Sequence, residues 1–333
     1  MSFGKLRQAL TFREVQNLVR DDLQLVEREI SLESIASVDA ITTIGRYLQD
    51  GGGKRLRPML VLLAAKMVGE ATGDVISLAA VVEMLHTATL AHDDVIDVAQ
   101  TRRGRPSPNV IWGNHTSVLA GDWLYMQAFQ VALRQRNFPL LDLLIGLTQR
   151  MVEGELLQLE LIGSMKVTEA DYMELVDRKT ASLFSSCARL GGMATGAGSE
   201  TVERLGDFAW NLGMAFQLVD DVLDFTSREK VLGKPVGNDL REGKITLPLI
   251  YALEQADESE RRAIEAVLED SSYDRTPFAS VREFLERRKG IERAMARAAA
   301  FTGRARLILA AFPDNPYQRA LFSVADLITE RDH

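Results

Sequence analysis

Apolar residues recur every three or four positions along nearly the whole chain, for example in 60–68, 78–90, 123–133, 140–159 and 208–223. This spacing places them on one face of an α-helix. Alternating apolar and polar runs bounded by hairpin turns, which are typical of strands, are absent. The pattern therefore predicts an all-α protein, an antiparallel bundle of helices.

The expected starts of the helices follow from N-cap residues and from the first apolar position of each periodic segment. Helices are predicted to begin near Ser31, Arg57, Asp74, Ser117, Asn137, Thr168, Thr201 and Lys244. Three basic segments rich in Gly or Pro interrupt the pattern: 51–58 (GGGKRLRP), 98–109 (VAQTRRGRPSPN) and 228–244 (REKVLGKPVGNDLREGK). They indicate either an anion site at one end of the bundle or ordinary solvated loops.

Composition narrows the domain organisation and the classes of partner. A length of 333 residues allows one large domain or two smaller ones. Nine prolines and no Ser/Pro-rich stretch leave no obvious linker, so we expect a single domain over 1–333. The net charge of −8 argues against a nucleic-acid partner. No run of 18 apolar residues and no signal-like start is present, so a cytoplasmic location is expected.

The single cysteine, Cys187, cannot form an internal disulfide. It lies in the apolar segment SLFSSCARL, which favours a core position over a nucleophile.

Two predicted helices end in the same acidic motif, Asp-Asp-x-x-Asp, within LAHDDVIDV and FQLVDDVLDF. Positions four apart share a helix face, so Asp93 and Asp97 point the same way, as do Asp220 and Asp224. Like charges at this spacing destabilise a helix by about 0.2–0.5 kcal/mol. Acids near a helix C-terminus also oppose the macrodipole. Either these are solvated acids at helix ends, or a cation compensates them. Magnesium is the natural candidate, because it often bridges carboxylates to substrate phosphates.

Seven motifs together resemble the trans-isoprenyl diphosphate synthases, in particular the bacterial long-chain polyprenyl type. They are GGGKRLRP (51–58), HTATLAHDDVID (86–97), RRGRP (102–106), GDWLY (121–125), RKTASLF (178–184), FQLVDDVLDF (216–225) and GKPVGNDLREGKITLP (233–248). The resemblance implies an isoprenoid synthase fold, with helices around a deep central cavity. It also implies a prenyltransferase that condenses isopentenyl diphosphate with an allylic diphosphate, such as farnesyl or geranylgeranyl diphosphate.

The resemblance assigns the metal site to the two aspartate motifs. It implies three Mg²⁺ ions on the allylic diphosphate, bound directly by Asp93, Asp97 and Asp220. Asp221 and Asp224 would assist directly or through water.

The resemblance divides the basic and polar residues between two substrates. Those implied for isopentenyl diphosphate are Lys54, Arg57, His86 and Arg103. Those implied for the allylic diphosphate are Arg102, Lys179 and Lys234, with Thr180 and Gln217 near the carbocation. The mechanism would be ionisation, attack by the isopentenyl double bond and loss of a proton, with the departing diphosphate as the expected proton acceptor. For His86, a buried structural histidine is the alternative.

The family places the growing apolar tail below the first aspartate motif. The residues one turn before Asp93 are the small Ala88 and Thr89, which favour a long product of about C40–C50 over C20–C25. Close helix packing is the other explanation for small residues here. Candidate floor residues further down are Met84, Leu85 and Phe129.

The family further implies a homodimer and possible peripheral membrane association through the hydrophobic product. The C-terminal sequence TERDH lacks the basic tail of many relatives, so a lid role for Arg331 or His333 is not expected. A class I terpene cyclase and a non-catalytic regulatory subunit are the competing classes. The second motif, DDVLD, does not match the cyclase metal motif, and regulatory subunits tend to lack the paired aspartates.

Overall fold

The periodic segments form α-helices in the computed structural model, which describes residues 9–227 and 236–329. The helices are α1 (Phe12–Leu18), α2 (Arg20–Glu33), α3 (Asp39–Asp50), α4 (Leu56–Val68), α5 (Gly73–Ile96), α6 (Pro108–Trp112), α7 (Asn114–Arg134), α8 (Phe138–Leu161), α9 (Glu169–Val176), α10 (Ser182–Ala194), α11 (Ser199–Thr226), α12 (Asn238–Arg241), α13 (Leu247–Leu253), α14 (Glu258–Asp270), α15 (Phe278–Arg287), α16 (Gly290–Leu309) and α17 (Pro316–Thr329). A π turn, Asp177–Ala181, joins α9 to α10. The predicted all-α class is confirmed.

Side-chain caps explain several of the helix starts. Thr168 and Asp171 form a capping box at the start of α9, each side chain accepting the backbone N–H of the other residue. The side chain of Asn137 accepts the N–H of Leu140 at the start of α8. Both starts are as predicted. The starts expected near Arg57, Asp74, Ser117, Thr201 and Lys244 lie within three residues of the observed helices.

The predicted helix start at Ser31 is wrong. Ser31 lies inside α2, and the next helix begins at Asp39. Its hydroxyl donates to the carbonyl of Glu27, one turn earlier, instead of capping a new helix. Serine can make either bond, and its sequence position does not distinguish them.

The centre of the molecule is formed by α4 and α5, which are apolar on nearly every face. Such helices must be buried, and α5 packs between α4 and α7. On the other side of α4, α10 packs against it and against α11. Buried apolar residues from all of these helices form one continuous core. Among the described residues, α5 alone is long and apolar enough to cross a membrane, but 67% of its apolar window is buried inside the protein.

A small β-hairpin corrects the expectation that strands are absent. Strands β1 (Thr101–Arg102) and β2 (Arg105–Pro106) pair antiparallel within the RRGRP segment. The two residues between them, Arg103 and Gly104, have φ of 53° and 74°. A two-residue hairpin turn with positive φ matches the right-handed twist of its strands. The hairpin holds Arg102 and Arg103 beside the C-terminal end of α5.

Candidate active site

A cavity of about 600 Å³ lies among α4, α5, α7, α8, the π turn, α10 and α11. Its polar lining includes Arg57, His86, Asp93, Glu155, Lys179, Thr180, Gln217 and Asp220. Its apolar lining includes Leu90, Val95, Val118, Met151, Val152, Leu156, Leu159 and Leu183. The charged groups and an extended apolar wall thus share one space.

The three acids of the first motif have three different surroundings. Asp93 lines the cavity, where burial raises its pKa to about 6 although Lys179 opposes the shift. Asp97, at the end of α5, accepts a hydrogen bond from Lys244 Nζ at 3.2 Å. Asp94 is completely buried and binds Arg102 at 2.7 Å. The middle acid therefore orients an arginine, while Asp93 faces the cavity and Asp97 is paired with Lys244.

The second motif divides in a similar way. Asp220 lines the large cavity and a smaller adjoining cavity of about 210 Å³. Asp221 is buried and accepts hydrogen bonds from the Tyr172 hydroxyl at 2.5 Å and from Gln217 Nε2 at 2.7 Å. Burial and the nearby carboxylate of Asp239 raise its pKa.

The last acid of this motif is the one most removed from the cavity. Asp224 is completely buried and accepts the backbone N–H of Asp239 at 3.2 Å. Asp224 lines neither the large nor the smaller cavity, and its metal role, directly or through water, stays a prediction.

The two cavities meet at four residues that line both, namely Lys179, Thr180, Gln217 and Asp220. The Thr180 hydroxyl donates to Gln217 Oε1 at 2.9 Å. Lys179 Nζ contacts Glu155 at 2.5 Å and Gln158 at 3.1 Å. The predicted allylic-site residues Lys179, Thr180 and Gln217 thus lie together beside Asp220.

Two of the residues predicted for isopentenyl diphosphate, Arg57 and His86, are in direct contact. Arg57 Nη1 is 3.1 Å from His86 Nε2, and both line the large cavity. Burial, followed by the charge of Arg57, lowers the pKa of His86 well below its ordinary value. His86 is therefore neutral at neutral pH, and its ring nitrogen that faces Arg57 acts as an acceptor.

A third, narrow cavity of about 30 Å³ adjoins the large cavity at His86 and Leu90. Arg102 and Arg103 line it, so the hairpin brings these two arginines to His86. Gly53 lets the Arg103 guanidinium lie against the GGGKRLRP loop, since a Cβ there would come within 2.9 Å of Arg103 Nη1. Lys54 is exposed, with its ammonium 5.9 Å from the centre of the Phe12 ring. Lys234, Arg331 and His333 lie outside the described residues.

The residues proposed to set chain length differ in their access to the cavity. Thr89 lines it. Ala88, Met84 and Leu85 are buried in the core, and Phe129 packs against that core, but none of the four is among the residues that line the large cavity. If these four residues form the floor of the cavity, the growing hydrocarbon tail of the product must open a path between α5 and α7.

Sequence reasoning missed several residues at the site. Lys244 lines the smaller cavity and contacts both Asp97 and Glu242, which outweigh burial and raise its pKa. Lys244 lies within the motif GKPVGNDLREGKITLP, so the sequence could have pointed to it. Asp94 likewise lies within the quoted motif HTATLAHDDVID, whereas Tyr172 and Glu155 lie in none of the quoted motifs and their partners are distant in sequence.

The acidic residues fit a divalent metal held jointly with a substrate. In residues 9–227 and 236–329, no group of three or more Asp, Glu, His or Cys side chains is close enough to hold an ion by itself. Asp93 and Asp220 nevertheless line the same cavity. Magnesium commonly takes one or two carboxylates and completes its shell with phosphate oxygens and water. The donor set matches that requirement.

Comparisons with known proteins show what the chain is similar to. A family model described as "Polyprenyl synthetase" matches residues 38–285. The octaprenyl diphosphate synthase of Haemophilus influenzae is 35% identical over 329 residues, covering 99% of this chain and 100% of that protein. The geranylgeranyl diphosphate synthase of Methanosarcina mazei is 42% identical over 215 residues, covering 63% of this chain and 66% of that protein.

Among solved structures, the polyprenyl synthase of Caulobacter crescentus, complexed with calcium and isoprenyl diphosphate, superposes with a TM-score of 0.93. It is 35% identical, and the match covers 98% of this chain and 99% of that chain.

Proposed function

The chain belongs to the polyprenyl synthetase family and is a prenyltransferase, and from this we propose that it is a magnesium-dependent trans-polyprenyl diphosphate synthase. It would add isopentenyl diphosphate units head-to-tail to an allylic diphosphate, either farnesyl or geranylgeranyl diphosphate. One observation carries the proposal. Asp93 and Asp220 line one cavity together with Lys179, Arg57 and a long apolar wall. Such a space accepts a diphosphate at one end and a hydrocarbon at the other.

Divalent metal dependence is typical of this family, and we propose three Mg²⁺ ions held by the aspartate motifs. When bound, such ions neutralise the charge that develops on the leaving diphosphate. Asp93, Asp97 and Asp220 would hold them, with Asp221 and Asp224 in supporting positions.

The chain's own residues would then bind and orient the two substrates. Lys179, Arg102 and Lys234 would hold the allylic diphosphate as its C–O bond breaks and the bonding electrons move to the leaving oxygen. Thr180 and Gln217, held by their mutual hydrogen bond, would place uncharged oxygens near the developing cation.

Arg57, His86, Arg103 and Lys54 would hold isopentenyl diphosphate so that its double bond attacks the cation. The new C–C bond forms, and a proton leaves for the departed diphosphate. No side chain of the described cavity lining is needed as the base in this scheme.

An octaprenyl diphosphate synthase and a geranylgeranyl diphosphate synthase are both similar to this chain. We therefore propose the length of the product from the lining of the cavity. The apolar wall runs along α7 and α8 through Val118, Val152, Leu156 and Leu159. No large aromatic side chain stands at Ala88 or Thr89. These features support a long product of about C40–C50, with C20–C25 as the alternative.

We also propose that the chain acts as a cytoplasmic homodimer of single-domain subunits. The continuous core supports a single domain. An exposed apolar face, named here the α7–α8 face, supports the dimer. It comprises Val118, Leu119, Met126, Leu133, Ile145, Val152, Leu156 and Leu159. Because four of these residues also line the cavity, a second copy packed on this face would cover one side of the tail chamber. The hydrophobic product would give peripheral membrane contact.

The deciding experiment is incubation of the protein with radiolabelled isopentenyl diphosphate, farnesyl diphosphate and Mg²⁺, with reversed-phase separation of the dephosphorylated products. A ladder ending near C40–C50, abolished by chelation and restored by Mg²⁺, is expected. Asp93→Ala and Asp220→Ala should each lower the rate by at least about 10²-fold, as loss of an electrostatic group does at an active site. Asp207→Asn, on the exposed face of α11, is the matched control.

A product that stops at C20 or C25 would agree with the proposed reaction but contradict the proposed long product. Failure to elongate any allylic primer overturns the proposed function.

A further inference from the structure

Lys179 and Thr180 reach the cavity from an unusual piece of backbone. They lie in the π turn, Asp177–Ala181, where the N–H of Ser182 donates to the carbonyl of Asp177, five residues earlier. Single π turns inside α-helices are uncommon and are frequent at functional sites. Such geometry persists where the surroundings hold it in place.

The first residue of the turn is anchored on the side away from the large cavity. The Asp177 carboxylate accepts the indole N–H of Trp210 at 2.6 Å and pairs with Arg150. These partners lie on α11 and α8, the two helices on either side of the turn. All three residues line an outer groove of about 590 Å³ and none lines the large cavity.

The two anchors differ in strength. Arg150 is half exposed, and exposed ion pairs contribute about 0–1 kcal/mol. Trp210 is partly buried, and its ring packs edge-on against Phe301 with ring centres 5.8 Å apart. A hydrogen bond from a fixed donor to a carboxylate is among the stronger kinds. The Trp210 bond is therefore the principal anchor.

The turn is also closely seated between its neighbours. A Cβ added at Gly154 of α8 would come within 2.9 Å of Arg178 Cβ and 3.1 Å of the Lys179 nitrogen. A Cβ at Gly213 of α11 would come within 2.7 Å of Ala181 Cα. Backbone that is this tightly packed transmits a shift at Asp177 directly to Lys179 and Thr180.

We propose that Asp177, Trp210 and Arg150 form a positioning group that holds the π turn and so aims Lys179 and Thr180 at the allylic diphosphate. The inference rests on the proposed function, because it assumes the role of those two residues. Asp177 touches neither substrate and acts only through the turn. Its carboxylate links the turn that precedes α10 to Arg150 of α8 and Trp210 of α11.

The test compares Asp177→Ala, Asp177→Asn and Trp210→Phe with the wild-type protein. Trp210→Phe keeps the aromatic packing and removes the donor, so it remains informative where Asp177→Ala folds poorly. Misplacement of a binding group by about 1 Å lowers rates by up to about 10²-fold. We expect kcat/KM for the allylic diphosphate to fall about 10–100-fold in Asp177→Ala and Trp210→Phe, with KM for isopentenyl diphosphate unchanged.

Asp177→Asn keeps an oxygen that accepts from Trp210, so it should restore most of the activity. The double variant Asp177→Ala/Trp210→Phe should be no worse than Asp177→Ala alone, because Asp177→Ala already removes the acceptor of the Trp210 bond together with the partner of Arg150. Glu203→Gln is the matched control. It breaks an ion pair between Arg189 of α10 and Glu203 of α11, away from the turn, and should leave kcat/KM unchanged.

Hydrogen exchange at the amides of 178–182 provides a readout that does not depend on activity. Faster exchange in Asp177→Ala and Trp210→Phe, but not in Glu203→Gln, is expected. Unchanged exchange and unchanged allylic kcat/KM in both variants overturn the inference, as does an equal loss for both substrates. A wild-type protein that is inactive with every primer refutes the proposed function instead, and the exchange comparison still decides whether Asp177 holds the turn.

Discussion

At the scale of single residues, the charged groups around the cavity are paired with one another. Lys179 pairs with Glu155, Lys244 with Asp97, and Arg102 with Asp94. Partly buried charges need such partners, because an unpaired charge in low dielectric is strongly unfavourable. A bound diphosphate would pair with some of these cations. We therefore expect substrate binding to break ion pairs between side chains and to replace them with ion pairs to phosphate oxygens.

The buried hydrogen bond between Tyr172 and Asp221 makes a direct prediction about stability. Tyr172→Phe removes the donor and leaves one acceptor position of a buried carboxyl unfilled, which typically costs about 1–3 kcal/mol. We expect the free energy of unfolding, measured with urea, to fall by that amount. The control is Tyr47→Phe, whose hydroxyl bonds the carbonyl of Pro106 at the surface. An equal loss in both variants would contradict a special contribution from burial.

The neutral state of His86 predicts a pH dependence of stability. Its pKa is depressed on folding by burial and by Arg57, so below about pH 6.5 the unfolded chain binds a proton that the folded chain does not. The free energy of unfolding should therefore decrease from pH 7 to pH 5. In His86→Asn this part of the decrease should disappear. Urea unfolding at pH 7, 6 and 5 measures the difference, with His115→Asn, at an exposed histidine, as control. Parallel curves for wild type and His86→Asn would contradict the assignment.

At the scale of elements, the end of α5 combines a functional motif with a strained backbone. Asp97 is the C-cap residue, and Val98, the next residue, has φ of 51° and is 68% exposed. A left-handed residue at this position is usually glycine. A branched side chain is uncommon there, since its Cβ is crowded in this conformation.

Val98→Gly should relieve this crowding. The left-handed conformation costs an L-residue roughly 1–2 kcal/mol, while glycine loses more backbone entropy on folding. A net gain of about 0.5–1 kcal/mol in the free energy of unfolding is expected from thermal or urea denaturation. Val98→Ala, which retains Cβ, should gain much less. Destabilisation by Val98→Gly would show that the branched side chain contributes more than its exposure indicates.

At the scale of the whole molecule, the α7–α8 face groups eight exposed apolar side chains on two consecutive helices. It is contiguous with the wall of the cavity through Val118, Val152 and Leu156. Large exposed apolar patches mark interaction sites. A second copy is the proposed occupant, and it would also close the side of the tail chamber.

Charge placed on this face should therefore disrupt both assembly and product length. Leu119→Glu and Met126→Glu, at side chains that are 63% and 64% exposed, are expected to shift sedimentation from dimer to monomer. They should also change the product distribution, because one wall of the chamber opens. Leu307→Glu, at a 75% exposed leucine on α16, is the matched control. A protein that is monomeric before mutation, or that stays dimeric after it, would contradict the proposed interface.

The elements that the sequence predicted are those governed by local rules. Helical periodicity and capping residues such as Asn137 and Thr168 act within one or two turns, so their pattern is visible in the chain. The helix start at Ser31 and the absence of strands were predicted wrongly. In both places a side chain or a turn had two locally reasonable conformations, and packing selected one.

The amino-acid sequence by itself determined the all-α class and the two aspartate motifs, because these depend on spacing along one chain. Its motifs also resembled a known family, and that resemblance pointed to Asp93, Asp220, Lys179, Thr180 and Gln217, which line the cavity. Tertiary structure decided how the acids within each motif divide their tasks, since Asp94 and Asp221 meet partners on other elements. The π turn, the anchoring of Asp177 and the place of Lys244 likewise depend on contacts between distant segments. Such contacts depend on how whole helices pack, and no local pattern encodes them.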